Sequence, residues 1–193
     1  MKKNILLTVV TLSVIFLATF LFIASRVQQE VLLPSRVSQG PTPTIKPIKS
    51  APTRIAIDSL GITVPVTMGA YDIKRKTWTL SWDSASFANM TAVPNTLAGK
   101  TIIYGHNTKK LFGRTKDIKP GDTAIVTTED GSQYTYEFIK EDVVTPETTD
   151  VFRGSHEGSP QLVLLTCGGF LNQDRHLLYF NLVKAEHAER VSE

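Results

Sequence analysis

Cys167 is the only cysteine among 193 residues. It closes an apolar run, Leu162-Val163-Leu164-Leu165-Thr166, and is followed by Gly168-Gly169. A lone thiol cannot form an intramolecular disulfide, and in an oxidising compartment it stays open to oxidation. A cysteine kept under those conditions reads as one kept for chemistry. The thiolate is the nucleophilic form, so it needs a proton acceptor or a cationic neighbour. Four histidines are available. His106 follows Tyr104-Gly105 at the end of an apolar run, a rigid position that can hold an imidazole within hydrogen-bonding reach. His156 lies in the polar stretch Arg153 to Gly158, His176 opens the last apolar run beside Arg175, and His187 sits in a charged tail. Position favours His106, against the plainer reading of a loop residue capping a turn. Acyl chemistry also needs donors for a developing oxyanion. Arg175 offers five fixed donors and a charge that does not titrate; its plainer reading is a surface arginine at a strand entrance.

The chain that must position these groups falls into four parts. Residues 1–25 hold a cytoplasmic stub with Lys2 and Lys3, then an uncharged stretch from Ile5 to Ala24. About 20 apolar residues span the hydrocarbon core of a bilayer. Ala18 and Ala24-Ser25 match a signal-peptide cleavage site poorly, so a retained signal anchor is expected. The positive-inside rule puts the N-terminus in the cytoplasm and everything after Arg26 outside, where the thiol meets an oxidising exterior. Residues 26–52 read as an extended stalk punctuated by Pro34, Pro41, Pro43, Pro47 and Pro52. Residues 53–185 form the folded domain, and 186–193 a charged tail. The net charge of +3 is spread over scattered Lys and Arg, with no run dense enough for nucleic acid.

From Thr53 onward the pattern is one of short β-like runs. Arg54 to Ile57 alternates, and Ile62 to Val66 follows across a Leu60-Gly61 turn. Trp78, Leu80 and Trp82 share a spacing of two and so one strand face. Thr101 to Tyr104, Thr123 to Thr127, Tyr134 to Ile139, Val143-Val144, Leu162 to Thr166 and Leu177 to Val183 complete the set, with Asp130-Gly131 as a hairpin signal. Ser84 to Met90 and Leu111 to Lys116 are expected to form single helical turns. Many short strands with Gly and Pro turns predict an all-β fold, a closed barrel or a sandwich.

The joint pattern resembles the sortase family. Pro52 to Ile57 with Leu60-Gly61-Ile62 and Val64-Pro65-Val66 looks like that family's opening strands. Ala98-Gly99-Lys100-Thr101-Ile102-Ile103-Tyr104-Gly105-His106 looks like the segment leading to its histidine. Leu111-Phe112 and Ile118 to Asp122 look like the stretch after it. Val163-Leu164-Leu165-Thr166-Cys167 matches the Thr-Leu-x-Thr-Cys signature with Val163 as the one departure, and Arg175 stands where an arginine precedes an apolar strand. The resemblance covers most of residues 52–184. It implies a closed barrel of about eight strands and a cysteine transpeptidase acting on surface proteins that carry a C-terminal sorting signal. Cys167 would attack the scissile carbonyl, typically of a Thr-Gly bond. His106 would protonate the leaving amine and deprotonate the incoming one. Arg175 would hold substrate and oxyanion, and Thr166 would help line the substrate pocket. An amine such as a peptidoglycan precursor or a pilin lysine would accept the acyl group.

No apolar segment follows Val183, and the Cys-to-Arg loop is short, Gly168 to Asp174. Both resemble the compact housekeeping-like or unclassified sortases, not the pilus type. No cofactor or metal is expected; Glu147, Asp150 and Glu157 read as a solvated loop. Two other readings stay open. One is a cysteine hydrolase or carboxypeptidase on the same scaffold; the other is a non-catalytic wall-binding β module with a buried structural thiol. The signature of L,D-transpeptidases, Ser-His-Gly-Cys, does not fit Leu165-Thr166-Cys167-Gly168.

Overall fold

The computed structural model describes residues 50–72 and 77–188. By its contacts the chain divides into Met1–Ile45 and Lys46–Glu193, and every described residue belongs to the second unit. The expected anchor and most of the expected stalk lie outside the described residues. Among the described residues no helix is long and apolar enough to cross a membrane.

Among the described residues ten strands form: β1 Pro52–Ile57, β2 Ile62–Gly69, β3 Tyr71–Asp72, β4 Thr77–Trp78, β5 Ala85–Ala88, β6 Lys100–Tyr104, β7 Thr123–Thr128, β8 Gln133–Val144, β9 Gln161–Gly168 and β10 Asp174–Glu186. Eight of them close into a barrel in the order β1-β2-β5-β6-β9-β10-β8-β7, and β3 pairs with β4 alone. The expected closed all-β barrel is therefore the fold observed. Closure removes the open sheet edge that would otherwise template aggregation.

Two turns show how the sequence brings the strands round. Gly61, at φ 57°, lets the chain reverse from β1 into β2, and its amide donates to the Asp58 carbonyl. Between β7 and β8 the Asp130 carboxylate accepts from the Thr128 hydroxyl at 2.6 Å and the Ser132 amide at 3.1 Å. The Thr128 hydrogen bond is the main reason the Asp130 carboxyl titrates below its ordinary range. The Asp130 amide donates to Ser50 Oγ, tying the start of the domain to this hairpin.

Alternation along the strands makes two apolar layers. Ile55, Ile57, Val64, Phe87, Ile103, Val126, Tyr136, Leu162, Leu164, Leu178 and Phe180 fill the barrel. Burying one such side chain contributes about 1.5–3 kcal/mol. The intervening residues, Ile102, Tyr104, Val163 and Leu177, belong to a second cluster on the opposite face of the same strands. Trp78 and the short turn Asp150–Phe152 cover it: Trp78 stacks on Phe152 at 5.0 Å and meets Tyr104 edge-on at 5.0 Å.

Three local expectations are corrected. Ser84 to Met90 does not form a helical turn; Ala85–Ala88 is β5, with all four residues buried. It runs parallel to β2 and antiparallel to β6, and the ladder hydrogen bonds from both sides outweigh local helix preference. Trp78, Leu80 and Trp82 do not share a strand face, because β4 ends at Trp78; Leu80 and Trp82 lie beyond it, exposed. Val143-Val144 is the end of the long β8 and not a separate run. The 3-10 turn at Thr115–Asp117 falls largely within the expected Leu111 to Lys116 segment.

Candidate active site

Strand β9 is the centre of the site, because it carries Cys167 and has a different neighbour on each side. On one side β10 runs antiparallel, with Arg175 as the direct cross-strand partner of Cys167. Such partners hold their Cβ atoms about 4.5–5.5 Å apart. On the other side β6 runs parallel, with Tyr104 level with Leu165. The pairing continues past the end of β6: the Gly105 amide donates to the Leu165 carbonyl at 3.1 Å. The Thr166 hydroxyl then donates to the Gly105 carbonyl at 2.9 Å. The next residue along each segment is His106, past the end of β6, and Cys167, on β9. The topology thus brings His106, Cys167 and Arg175 to neighbouring positions at one end of the sheet.

Side-chain parity puts them on one face. Val163, Leu165 and Cys167 alternate with the barrel-filling Leu162 and Leu164. Leu177, Tyr179 and Arg175 alternate in the same way on β10. His106 continues the parity of Ile102 and Tyr104. All three candidates are partly buried, open enough to meet a peptide and walled enough to be held. The Arg175 guanidinium donates from Nη1 to the Asp174 carbonyl at 3.0 Å. It also adds to the effect of the Thr145 hydroxyl, the main cause of the lowered pKa of Glu147. That carboxylate marks the rim contributed by the β8–β9 connection.

The local sequence explains why these segments can come so close. Gly105 leaves little room for a side chain, since a Cβ there would sit 3.1 Å from the Phe112 ring and press on it. The Phe112 amide in turn donates to the His106 carbonyl at 3.2 Å. Thr166 is buried, with its hydroxyl committed to Gly105. Its direct structural effect is to clamp the strand bearing the thiol to the segment just past β6 that bears the imidazole.

The other histidines are placed elsewhere. His156 Nε2 donates to the Met90 carbonyl at 3.1 Å, in a loop bonded to Gly99 and Lys100 at the start of β6. At about 3.3 Å per residue, the length of β6 separates it from His106. His187 meets Tyr134 edge-on at 6.1 Å, beyond the far end of β10. His176 is adjacent to Arg175 in sequence and pairs across the strand with Thr166, so its side chain takes the face opposite to the candidates. There its Nδ1 bonds the Glu141 carboxylate. Among the described residues no group of three or more His, Cys, Asp or Glu could hold a metal ion.

Two features escaped the sequence. The Trp82 indole lies flat on the His106 imidazole, with centroids 4.0 Å apart and planes 12° apart. The residues are far apart in sequence, and no periodicity links them. The His176–Glu141 pair lies over Gly168, where a Cβ would come 1.9 Å from His176 Nε2. A side chain next to the thiol would therefore have to displace the His176 ring. Gly168→Ala should push the ring off Glu141 and cost about 1–3 kcal/mol as an overpacked substitution. A lowered denaturation midpoint checks this; an unchanged one would mean the ring swings away freely.

One end of the closed β-barrel thus carries a thiol on β9, a guanidinium on β10 and an imidazole just past β6, a set of groups that can do cysteine acyl chemistry. The comparisons with known proteins agree. The family model described as Sortase domain matches residues 55–183, more than half of the chain. The chain belongs to the sortase family, and its enzyme type is the cysteine transpeptidase. Sortase E1 from Streptomyces coelicolor, solved with a tripeptide in its active site, is 22% identical with a TM-score of 0.58. That alignment covers 72% of this chain and 91% of the other. Sortase A from Corynebacterium diphtheriae is 25% identical, TM-score 0.57, covering 70% and 61%. Listeria monocytogenes sortase A is 18% identical, TM-score 0.57, covering 74% and 92%. No curated protein matches the chain.

Proposed function

We propose that this sortase is anchored in the cell membrane by residues 5–24, with a cytoplasmic N-terminus and an extracellular barrel. There it cleaves the C-terminal sorting signal of surface proteins and transfers the acyl group to an amine. The observation that carries the reading is the direct pairing of Cys167 with Arg175 on β9 and β10, with β6 delivering His106 on the other side.

The steps balance without any redox change. The Cys167 thiolate attacks the carbonyl carbon of the scissile bond, typically Thr-Gly. The oxyanion that forms is held by the Arg175 guanidinium, whose planar fork aims donors at a developing charge. The C–N bond breaks, and the leaving amine takes a proton from the His106 imidazolium. What remains is a thioester on Cys167 and neutral imidazole. An incoming amine then loses its proton to His106 as it attacks the thioester, and the thiolate leaves. Thr166 helps line the pocket and holds β6 against β9 while this happens. The acceptor is an amine, either of a cell-wall peptidoglycan precursor or of a pilin lysine. The short Gly168 to Asp174 connection supports the compact subclass.

The test uses the full chain in detergent with a pool of quenched fluorescent peptides, each with a central Thr-Gly bond. Oligoglycine and other amines are added as acceptors. New amide products whose yield rises with amine concentration are expected. Hydrolysed peptide alone, whichever amine is supplied, would replace transpeptidation with the hydrolase reading.

Arg175→Lys is expected to lower kcat on the order of 10–100-fold. That is less than the 10²–10³ typical of losing an oxyanion donor outright, because a charge remains while the fork is lost. Steady-state kinetics on the fastest peptide of the pool checks it. Wild-type kcat in the lysine variant would remove the guanidinium from the oxyanion role.

A further inference from the structure

We propose that Trp82 is a positioning residue for His106, an indole platform that holds the imidazole in one orientation beside Cys167. The inference rests on the reading of His106 as the proton carrier of the site.

Three observations carry it. The first is the stack itself, nearly coplanar at 12° and 4.0 Å, closer than most aromatic pairs. The second is the exposure of Trp82, 68%. A tryptophan that was merely core would be buried with its ring among aliphatic side chains. Trp78, only four residues earlier, is such a case, packed between Phe152 and Tyr104. Trp82 instead lies on a group that has to move a proton. The third is the build of the segment that carries it. Ser81 Oγ accepts from the amides of Asp83 and Ser84, at 3.1 and 3.2 Å, closing a tight turn around Trp82. The Ser84 hydroxyl meets the Thr67 hydroxyl at 3.2 Å, fixing the turn to β2. Asp83 pairs with Lys110, which lies on the loop that leaves His106. The Trp82 turn and the His106 loop are therefore joined twice, once by the rings and once by the ion pair.

An imidazole at a strand end is held on one side by its backbone alone. Rotation about its side-chain bonds would carry the ring away from the thiol and from the scissile nitrogen. A flat indole against one ring face removes most of those rotations and leaves both ring nitrogens free at the edge. The same face attracts the ring more strongly in its cationic form, as aromatic faces do with cations. That is the form the leaving amine needs. Productive proton transfer tolerates little misplacement, so loss of the platform acts on the chemical step more than on binding.

The experiment compares the full chain with Trp82→Ala, Trp82→Phe, Asp83→Asn and His106→Ala. The His106 ring-proton resonances are assigned by their disappearance in His106→Ala. In Trp82→Ala they should move downfield by a few tenths of a ppm as the ring current is lost. In the same variant kcat on the fastest Thr-Gly peptide should fall about tenfold, with KM changed less than twofold. Trp82→Phe should recover most of kcat, and Asp83→Asn should cost less than threefold. Unmoved resonances overturn the proposal, because the stack is then absent in solution. Moved resonances with an unchanged kcat overturn it too, because the stack then has no consequence. The underlying reading fails in a different way: His106→Ala retaining the wild-type rate removes the proton carrier, whatever Trp82 does. A wild-type chain with no turnover sinks that reading as well, while the resonances still decide whether the rings are stacked.

Discussion

Cys167→Ala is expected to abolish turnover, leaving neither cleaved peptide nor acyl transfer. The chemistry passes through a thioester, and no other atom at this end of the sheet can form one; Cys167 is the only thiol in the chain. The backbone should be indifferent to the change. Cys167 is partly buried on β9, its cross-strand partner is Arg175, and alanine fits the extended backbone there. The denaturation midpoint should therefore stay near the wild-type value, which separates a chemical loss from an unfolded variant. A small alkylating reagent should reproduce the loss, with one adduct per chain by mass. A buried structural thiol would resist it, as the wall-binding alternative requires. Peptide cleavage surviving in Cys167→Ala would rule out sulfur as the nucleophile.

The second large effect belongs to the imidazole. His106→Ala should lower kcat by about 10²–10⁴-fold, the usual contribution of a positioned acid–base group. The leaving amine is a poor leaving group unless protonated, so the cost falls on thioester formation. The incoming amine must also lose a proton, so the second half-reaction suffers as well. His156→Ala is the internal control, and its rate should change less than threefold. Its ring is spent on the Met90 carbonyl and sits at the other end of β6. Stopped-flow cleavage of the same peptide compares the two. If His156→Ala proved the slower variant, the proton carrier would have to be reassigned to the β8–β9 loop.

Arg175 was legible for a local reason: a cation opening an apolar strand next to a glycine-rich turn is conspicuous. The thiol was legible because it is alone. His106 stood out from its rivals by its place at the end of an apolar run, and the fold puts those rivals elsewhere. His156 lies at the opposite end of β6, His187 beyond the end of β10, and His176 on the wrong face of its strand. The strand face expected to include Trp82 does not form. The spacing of Trp82 from Trp78 obeys the strand period, but the strand stops first. Over Ser84 to Met90 the expected helical turn gives way to β5, because the flanking strands β2 and β6 supply its ladder hydrogen bonds.

What the sequence determined by itself is the alternation of short runs and turns, the single thiol, and the order His106, Cys167, Arg175. These are local properties: a period of two decides which face a side chain takes, and glycine, proline and aspartate decide where a strand ends. What only the tertiary structure decided is which strands become neighbours. Thr166 and Gly105 are 61 positions apart, yet one hydrogen bond joins them. That pairing is parallel, so no hairpin could announce it. It is set by closure of the barrel around Leu162, Leu164 and Ile103, whose burial fixes the register of β6 against β9.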